Sequence, residues 1–187
     1  WIILHLPERI KFKMIEHFGN KWQNIRSSYG TPKNLLDIDW HSWFNPLNSL
    51  EDPRIEILRD QVFHNENGLQ LKLDIYRPKN INKKLPGILQ IHGGAWITGS
   101  KRQASSFMVR MASQGWICYS VTHRFSPKVI FPEHLIDVKR ALKWIRENAD
   151  YHGLDKNFII SKGESSGAHL AALMALTQNI SEFQPGF

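Results

Sequence analysis

The sequence predicts an α/β fold with a mostly parallel central sheet flanked by helices. From about residue 60 onward, short apolar runs alternate with longer stretches of helical periodicity. Two of the apolar runs end in glycine-rich turns, at residues 92–96 and 163–167. Strands that alternate with helices need crossover connections, and crossovers produce parallel pairs. Together, these observations favour a sheet in which two of the strands end in glycine-rich turns.

The first predicted elements form a hairpin. Residues 69–76 alternate between apolar and polar side chains, which is typical of a half-buried strand. Leu69, Leu71, Leu73 and Ile75 would face the core, and Gln70, Lys72, Asp74 and Tyr76 would face away. The turn-forming residues 64–68 precede this strand, so residues 60–64 are its expected partner.

The remaining elements follow as strands and helices in turn. Buried strands are predicted at residues 87–92, 116–122 and 157–161, because each is a short apolar run bounded by turn residues. Helices are predicted at residues 103–114, at 132–149 and at 167–178. In the second helix the apolar residues share one face, and Pro132 precedes it, as is common at helix starts.

The chain divides into an N-terminal region of residues 1–58 and an α/β region of residues 59–187. Apolar and aromatic residues recur at spacings of three and four between Pro7 and Gly30, which predicts an amphipathic helix with a basic opposite face. Such a helix either packs as a cap on the main domain or makes peripheral membrane contact through residues 1–29. The compartment is left open, with a cytoplasmic or membrane-associated location favoured.

Composition narrows the class of protein. The 187 residues are 42% hydrophobic and 22% charged, which is typical of a globular domain. The single cysteine, Cys118, excludes an internal disulfide framework. The formal net charge is +7, but Lys and Arg are scattered. The excess therefore indicates a solvated basic surface rather than a partner made of nucleic acid.

The run "GESSG" at residues 163–167 follows a predicted strand and opens a predicted helix. A serine on a sharp strand-to-helix turn needs small neighbours, and Gly163 and Gly167 meet that need. This arrangement would expose the hydroxyl of Ser165 at the positive end of a helix. Alone, the motif could be a glycine-rich turn with a capping serine, but its strand-turn-helix context favours a nucleophile.

The run "HGGAW" at residues 92–96 follows another buried strand. Acyl transfer builds negative charge on a carbonyl oxygen, and backbone N–H groups aimed at that oxygen stabilise it. Glycines let the backbone turn its N–H groups outward and let a substrate approach closely. The alternative is a simple glycine turn, which becomes improbable once both motifs occur in this order at successive strand ends.

These motifs resemble the α/β-hydrolase superfamily, in its esterase/lipase branch. That branch includes hormone-sensitive-lipase-like carboxylesterases and kynurenine formamidases. The resemblance rests on "HGGAW", on "FPEHLIDVKRALKWIRENA", on "GESSGAHLAALMAL" and, more loosely, on "SVTHRFSP". It covers about residues 60–180 and implies the α/β-hydrolase fold for that part of the chain.

The resemblance also implies roles for individual residues. Ser165 would be the nucleophile, and an oxyanion hole would be formed by Gly94, Ala95 and the N–H of Ser166, with Gly93 setting the turn. Members of the family often carry a third glycine where this chain has Ala95. Trp96 would lie beside the substrate pocket, although plain packing explains it equally well. No metal or cofactor is expected.

The site predicted from the sequence lacks a general base for Ser165 and the carboxylate that would orient that base. In this superfamily they follow the nucleophile along the chain, and after Ser165 the sequence offers only His169 and Glu182. His169 is expected to point into the helix packing, and His92 to belong to the glycine turn. We therefore expect the chain to be an incomplete fragment, truncated after the nucleophile helix and inactive by itself.

The expected function of the parent protein is hydrolysis of small-molecule carboxylic esters through an acyl-enzyme. Two alternatives stay open. The first is amide hydrolysis of the arylformamidase or peptidase type, with the same nucleophile and a different pocket. The second is a non-catalytic binding module that keeps the fold without the chemistry.

Overall fold

The structure, a computed structural model, describes residues 52–66 and 68–186. The amphipathic helix expected between Pro7 and Gly30, and its membrane contact, lie outside the described residues. The described part begins within the predicted N-terminal region. Its first strand starts at Ile55, so the sheet begins before the boundary expected at residue 58.

The described sheet has five strands in the order β1-β2-β4-β3-β5. The strands are β1 (Ile55–Glu66), β2 (Leu69–Pro78), β3 (Leu85–Ile91), β4 (Ile117–Val121) and β5 (Leu154–Gly163). Strand β3 pairs in parallel with both β4 and β5, whereas β2 is antiparallel to β1 and to β4. The predicted hairpin is confirmed, and it makes the N-terminal half of the sheet antiparallel.

Helices connect the parallel strands, as the alternating pattern predicts. They are α1 (Ser105–Ser113), α2 (Glu133–Glu147), the short α3 (Ala149–His152) and α4 (Ser166–Leu176). A 3-10 turn follows at Ser181–Phe183. One hydrophobic cluster joins the sheet to α2 and α4, and a second joins its other face to α1. Both faces of the central strands are therefore covered.

This two-sided burial corrects the prediction for β2. Leu71, Leu73 and Ile75 are buried as expected, but Asp74 and Tyr76 on the other face are also fully buried. The reason is α1, whose Met108 packs in the same cluster as Tyr76. An alternating pattern reports the chemistry of each face, not whether another element will cover it.

Asp74 is tolerated in this position because cations and an amide surround it. It accepts hydrogen bonds from Arg59 Nη1 at 2.7 Å, from Lys101 Nζ at 2.5 Å and from the backbone N–H of Asp60 at 2.9 Å. Burial alone would raise the pKa of Asp74, but these donors outweigh burial and lower it. The network ties β1 and β2 to the segment that leads into α1.

Strand β5 lies at one edge of the described sheet and has exposed apolar side chains at Phe158 and Ile160. An open cleft of about 1040 Å³ lies along this strand, between α2 and α4. Its lining includes Lys139, Ile159 and Met174, but neither Ser165 nor the glycine loop. Among the described helices, none is long and apolar enough to cross a membrane.

Candidate active site

Ser165 lies at the sharp turn between β5 and α4. Its backbone has φ 52° and ψ −122°, a conformation that residues with a Cβ rarely adopt. The glycines on either side leave no space for side chains. A Cβ on Gly163 would lie 2.2 Å from the carbonyl carbon of Gly167, and a Cβ on Gly167 would lie 2.2 Å from the Ile91 carbonyl oxygen. The sequence therefore holds the serine in a strained position, and its side chain is exposed.

The glycine loop follows β3 and has an unusual backbone. Gly94, Ala95 and Trp96 all have positive φ values, of 127°, 52° and 60°. The Gly94 carbonyl accepts hydrogen bonds from the backbone N–H groups of Ile97 and Thr98, at 3.0 and 3.1 Å. The Gly94 carbonyl is therefore fully used in hydrogen bonds within the turn. Ala95 tolerates a positive φ at a cost that a glycine would avoid.

The two turns touch each other because their strands are parallel neighbours. Ile91, at the end of β3, pairs with Gly163 at the end of β5. A Cβ on Gly93 would lie 2.6 Å from the Glu164 carbonyl oxygen and 3.4 Å from the Ser165 Cβ. Parallel strands present their carboxyl ends at one edge of the sheet, which is where α/β proteins bind ligands.

Several backbone donors at this edge are free. Within residues 52–66 and 68–186, the N–H groups of Gly94, Ala95 and Ser166 donate to no backbone or side-chain acceptor. Ser166 is also the first residue of α4, and the first turn of α4 carries no acidic side chain. The positive end of the helix dipole adds to the free donors, so the site favours a negatively charged oxygen.

Trp96 is half-buried next to these donors. Its ring meets the His169 ring edge to face, with the ring centroids 5.4 Å apart. Its carbonyl oxygen accepts a hydrogen bond from the Ser126 N–H at 2.9 Å, which ties the glycine loop to the segment after β4. The expectation for His169 is wrong. This residue is exposed and lies against Trp96 instead of pointing into the helix packing.

No acid–base partner of Ser165 is found among the described residues. None of the imidazoles or carboxylates in that part of the chain hydrogen-bonds to the Ser165 hydroxyl. Glu164 is engaged by Lys162 Nζ at 2.6 Å. The described residues also contain no cluster of three or more His, Cys, Asp or Glu that could hold a metal ion.

Two buried histidines, of which the sequence analysis named only His92, lie beside the glycine loop. His92 and His123 are both buried, and their rings stack with centroids 4.5 Å apart. Beside them, Arg124 is held by Asp137 through its backbone N–H and its guanidinium, and it also pairs with Glu133. His123 lies two residues after β4, a parallel neighbour of β3, and this position is the signal that could have revealed it.

Comparison with known proteins shows the family to which the chain belongs. A family model, BD-FAE, matches residues 73–186, which is more than half of the chain. The chain belongs to the BD-FAE family. Its relatives and structural neighbours are esterases of the α/β-hydrolase fold, which confirms the superfamily that the two motifs predict.

Three relatives of this chain have names that state an enzymatic activity. Esterase LipQ of Mycobacterium tuberculosis is 35% identical over 98% of the chain and 49% of its own length. The probable carboxylic ester hydrolase LipM of the same species is 44% identical over 67% of the chain and 30% of its own length. Arylacetamide deacetylase of Bos taurus is 33% identical over 64% of the chain. The chain thus spans about half of LipQ, and less of LipM.

Among the solved structures that resemble the BD-FAE family chain are two esterases. The bacterial heroin esterase matches 70% of the chain and 41% of its own chain, with a TM-score of 0.63 and 26% identity. Esterase 2 of Thermogutta terrifontis matches 65% of the chain and 44% of its own, with a TM-score of 0.58 and 29% identity. The likeness extends over most of the described fold.

Proposed function

We propose that the protein is a serine hydrolase that cleaves small-molecule carboxylic esters through an acyl-enzyme. One observation carries the proposal. The strained, exposed Ser165 lies against a loop and a helix start whose N–H groups at Gly94, Ala95 and Ser166 have no acceptor among the described residues. Acyl transfer requires a nucleophile and, beside it, N–H donors that are not already used in other hydrogen bonds.

In the proposed reaction the Ser165 Oγ attacks the carbonyl carbon of the ester and gives its proton to a base. The carbonyl π electrons move to the oxygen, and the N–H groups of Gly94, Ala95 and Ser166 stabilise that oxyanion. Collapse of the intermediate breaks the bond to the alcohol, which leaves with the proton. Water then attacks the acyl-serine by the same route and releases the acid.

Labelling with a fluorophosphonate tests the nucleophile. We expect the full natural protein to be labelled at Ser165, and the Ser165→Ala variant to lose the label. Ser113→Ala is the matched control, because its hydroxyl only bonds to the Arg110 carbonyl within α1 and should leave labelling unchanged. Equal labelling of Ser165→Ala and wild type would overturn the assignment of Ser165, and no labelling of either would favour a non-catalytic binding module.

Amide hydrolysis is the second candidate, and the name of the bovine relative, arylacetamide deacetylase, favours it. The same Ser165 would attack an anilide instead of an ester. Turnover of p-nitrophenyl acetate and p-nitroacetanilide by the full natural protein separates the two. We expect a kcat/KM for the ester that exceeds the value for the anilide, and the reverse order would favour the amide hydrolase.

We further propose that Trp96 forms one wall of the substrate pocket. Its half-buried ring adjoins the free donors, and the exposed Ile97 follows it in the chain. The Trp96→Ala variant is expected to change the ratio of kcat/KM for p-nitrophenyl acetate and butyrate. An unchanged ratio would assign Trp96 to packing alone.

The chain of 187 residues is proposed to be inactive by itself. The described residues supply no base for Ser165, and without one a serine hydroxyl is a weak nucleophile. We expect this chain to hydrolyse p-nitrophenyl acetate no faster than its Ser165→Ala variant. Turnover that depends on Ser165 in the isolated chain would contradict this.

A further inference from the structure

The stacked rings of His92 and His123 form the floor of the glycine loop. His92 directly follows β3 and is 1% exposed, whereas His123 follows the neighbouring strand β4 and is 3% exposed. The rings are nearly parallel, with an interplanar angle of 19°. Phe125 meets both of them edge to face, at 5.7 and 5.5 Å, and closes the side of the stack.

Hydrogen bonds show which ring nitrogen of each histidine carries a hydrogen. His92 Nδ1 lies 2.9 Å from the Gly93 carbonyl oxygen, and His123 Nδ1 lies 2.8 Å from the Arg124 carbonyl oxygen. A carbonyl oxygen only accepts, so each Nδ1 carries the hydrogen. Each Nε2 is buried and has no partner within the described residues. A second proton would therefore create a buried N–H without an acceptor, which is costly.

The stack contacts the loop that holds the proposed oxyanion donors. A Cβ on Gly99 would lie 2.2 Å from His92 Nδ1, so the far end of the loop lies directly against the imidazole. At the near end, Gly93 contacts the Glu164 carbonyl and the Ser165 Cβ. The His92 ring is thus held between the loop and the His123 ring. Movement of His123 therefore affects the loop through His92.

The charged groups beside the stack are already paired with one another. From α2, the His134 ring meets His123 edge to face at 5.9 Å, and Asp137 and Glu133 are already paired with Arg124. From α4, the glycine Gly167 lies against the His92 carbonyl and brings no charge.

The pKa values follow from this environment. Burial lowers the pKa of His92, and proximity to His123 lowers it further against the opposing effect of the Gly93 carbonyl. Burial likewise lowers the pKa of His123, where His134 adds to the effect and the Arg124 carbonyl and Asp137 oppose it. Both rings are therefore neutral at pH 7.

We propose that His123 is a positioning residue for the oxyanion loop, and that its stack with His92 holds the donors of Gly94 and Ala95 toward Ser165 only while both rings are neutral. The proposal rests on the proposed esterase function. A proton on either ring adds a buried positive charge, or an N–H without an acceptor, next to the loop. The loop then loosens. Because the donors act on the oxyanion, the loss falls on kcat more than on KM.

Two variants of His123 separate stacking from ionisation in the full natural protein. His123→Phe keeps an aromatic ring on His92 but cannot bind a proton. His123→Ala removes the ring. At pH 8 we expect His123→Phe to retain kcat, and His123→Ala to lose about tenfold in kcat with KM little changed, less than the loss of a whole oxyanion donor. The acid limb of the kcat–pH profile should move to lower pH in His123→Phe.

The control variant is His152→Phe, which alters a buried histidine that contacts Tyr119 and Trp144 far from the loop. It should leave kcat and its acid limb unchanged. Wild-type kcat in His123→Ala, or an unmoved acid limb in His123→Phe, would overturn the proposal. Nitrogen NMR titration of the His123 ring adds a test without turnover, and protonation near the ordinary pKa of 6.5 would also overturn it. Failure of fluorophosphonate labelling would instead overturn the esterase function.

Discussion

Ser165 occupies a backbone conformation that costs about 1–3 kcal/mol for a residue with a side chain. The fold tolerates this cost because contacts on both sides hold the turn in place. The N–H groups of Ala168 and His169 donate to the Ser165 carbonyl, and Gly167 fits closely against the end of β3. The same packing exposes the Ser165 side chain. Strain at this residue and access to its hydroxyl therefore have one origin.

Gly167→Ala tests this packing. The new methyl group would meet the Ile91 and His92 carbonyl oxygens at 2.2 and 2.5 Å, and backbone atoms cannot move aside cheaply. We expect a loss of about 3 kcal/mol in the free energy of unfolding, measured by urea titration. Gly68→Ala is the control, since Gly68 has a φ of 79° but nothing within 4 Å of its added Cβ.

The control should lose only about 1 kcal/mol, the cost of a left-handed conformation. Equal losses in the two variants would contradict the role of close packing at Gly167.

At the scale of elements, the site exists because three parallel strands end at one edge. Strand β3 delivers the glycine loop, β5 delivers Ser165, and β4 delivers His123. The antiparallel strands β1 and β2 contribute none of the proposed site residues, although Lys72 of β2 hydrogen-bonds Thr122 at this edge. Their role is to extend the sheet, and the buried Asp74 network fastens them to the segment before α1.

Asp74→Asn is expected to destabilise the fold by about 3 kcal/mol, because it leaves the buried Lys101 ammonium without its closest counter-charge. Urea unfolding of the chain at pH 7 measures the change. The control is Asp150→Asn, whose exposed ion pair with Lys84 should leave the free energy of unfolding unchanged. A loss for Asp74→Asn no larger than for the control would show that the network is energetically neutral.

At the scale of the whole molecule, four histidines in the described part of the chain are buried and stay neutral in the folded state. The pKa values of His92, His123, His134 and His152 are all lowered, with burial as the largest cause. The unfolded chain, with ordinary pKa values near 6.5, binds protons first as the pH falls. The fold therefore loses stability below about pH 6.5, and its stability is greatest above that value.

His152 provides the clearest test of this acid sensitivity. Burial lowers its pKa to about 4, with a smaller contribution from Arg77. Its stabilising contribution is full above about pH 6.5 and decreases by up to about 3 kcal/mol as the pH falls to about 4. Replacing it in His152→Gln should flatten the pH dependence of the unfolding free energy by that amount.

Urea unfolding between pH 8 and pH 4 measures the effect. A His152→Gln curve with the slope of wild type would mean that His152 titrates alike in the folded and unfolded states.

The sequence by itself determined the order of strands and helices, the two glycine-rich turns and the family. These features are local: apolar periodicity marks the elements, and glycines stand where a Cβ cannot fit. The resemblance of the motifs to a known family also implied Ser165 as nucleophile and Gly94, Ala95 and Ser166 as donors, roles that remain proposals. The tertiary structure alone decided that β2 is covered on both faces, that His169 lies against Trp96, and that His92 and His123 stack. Those contacts join residues that are distant in the chain, so no local pattern records them.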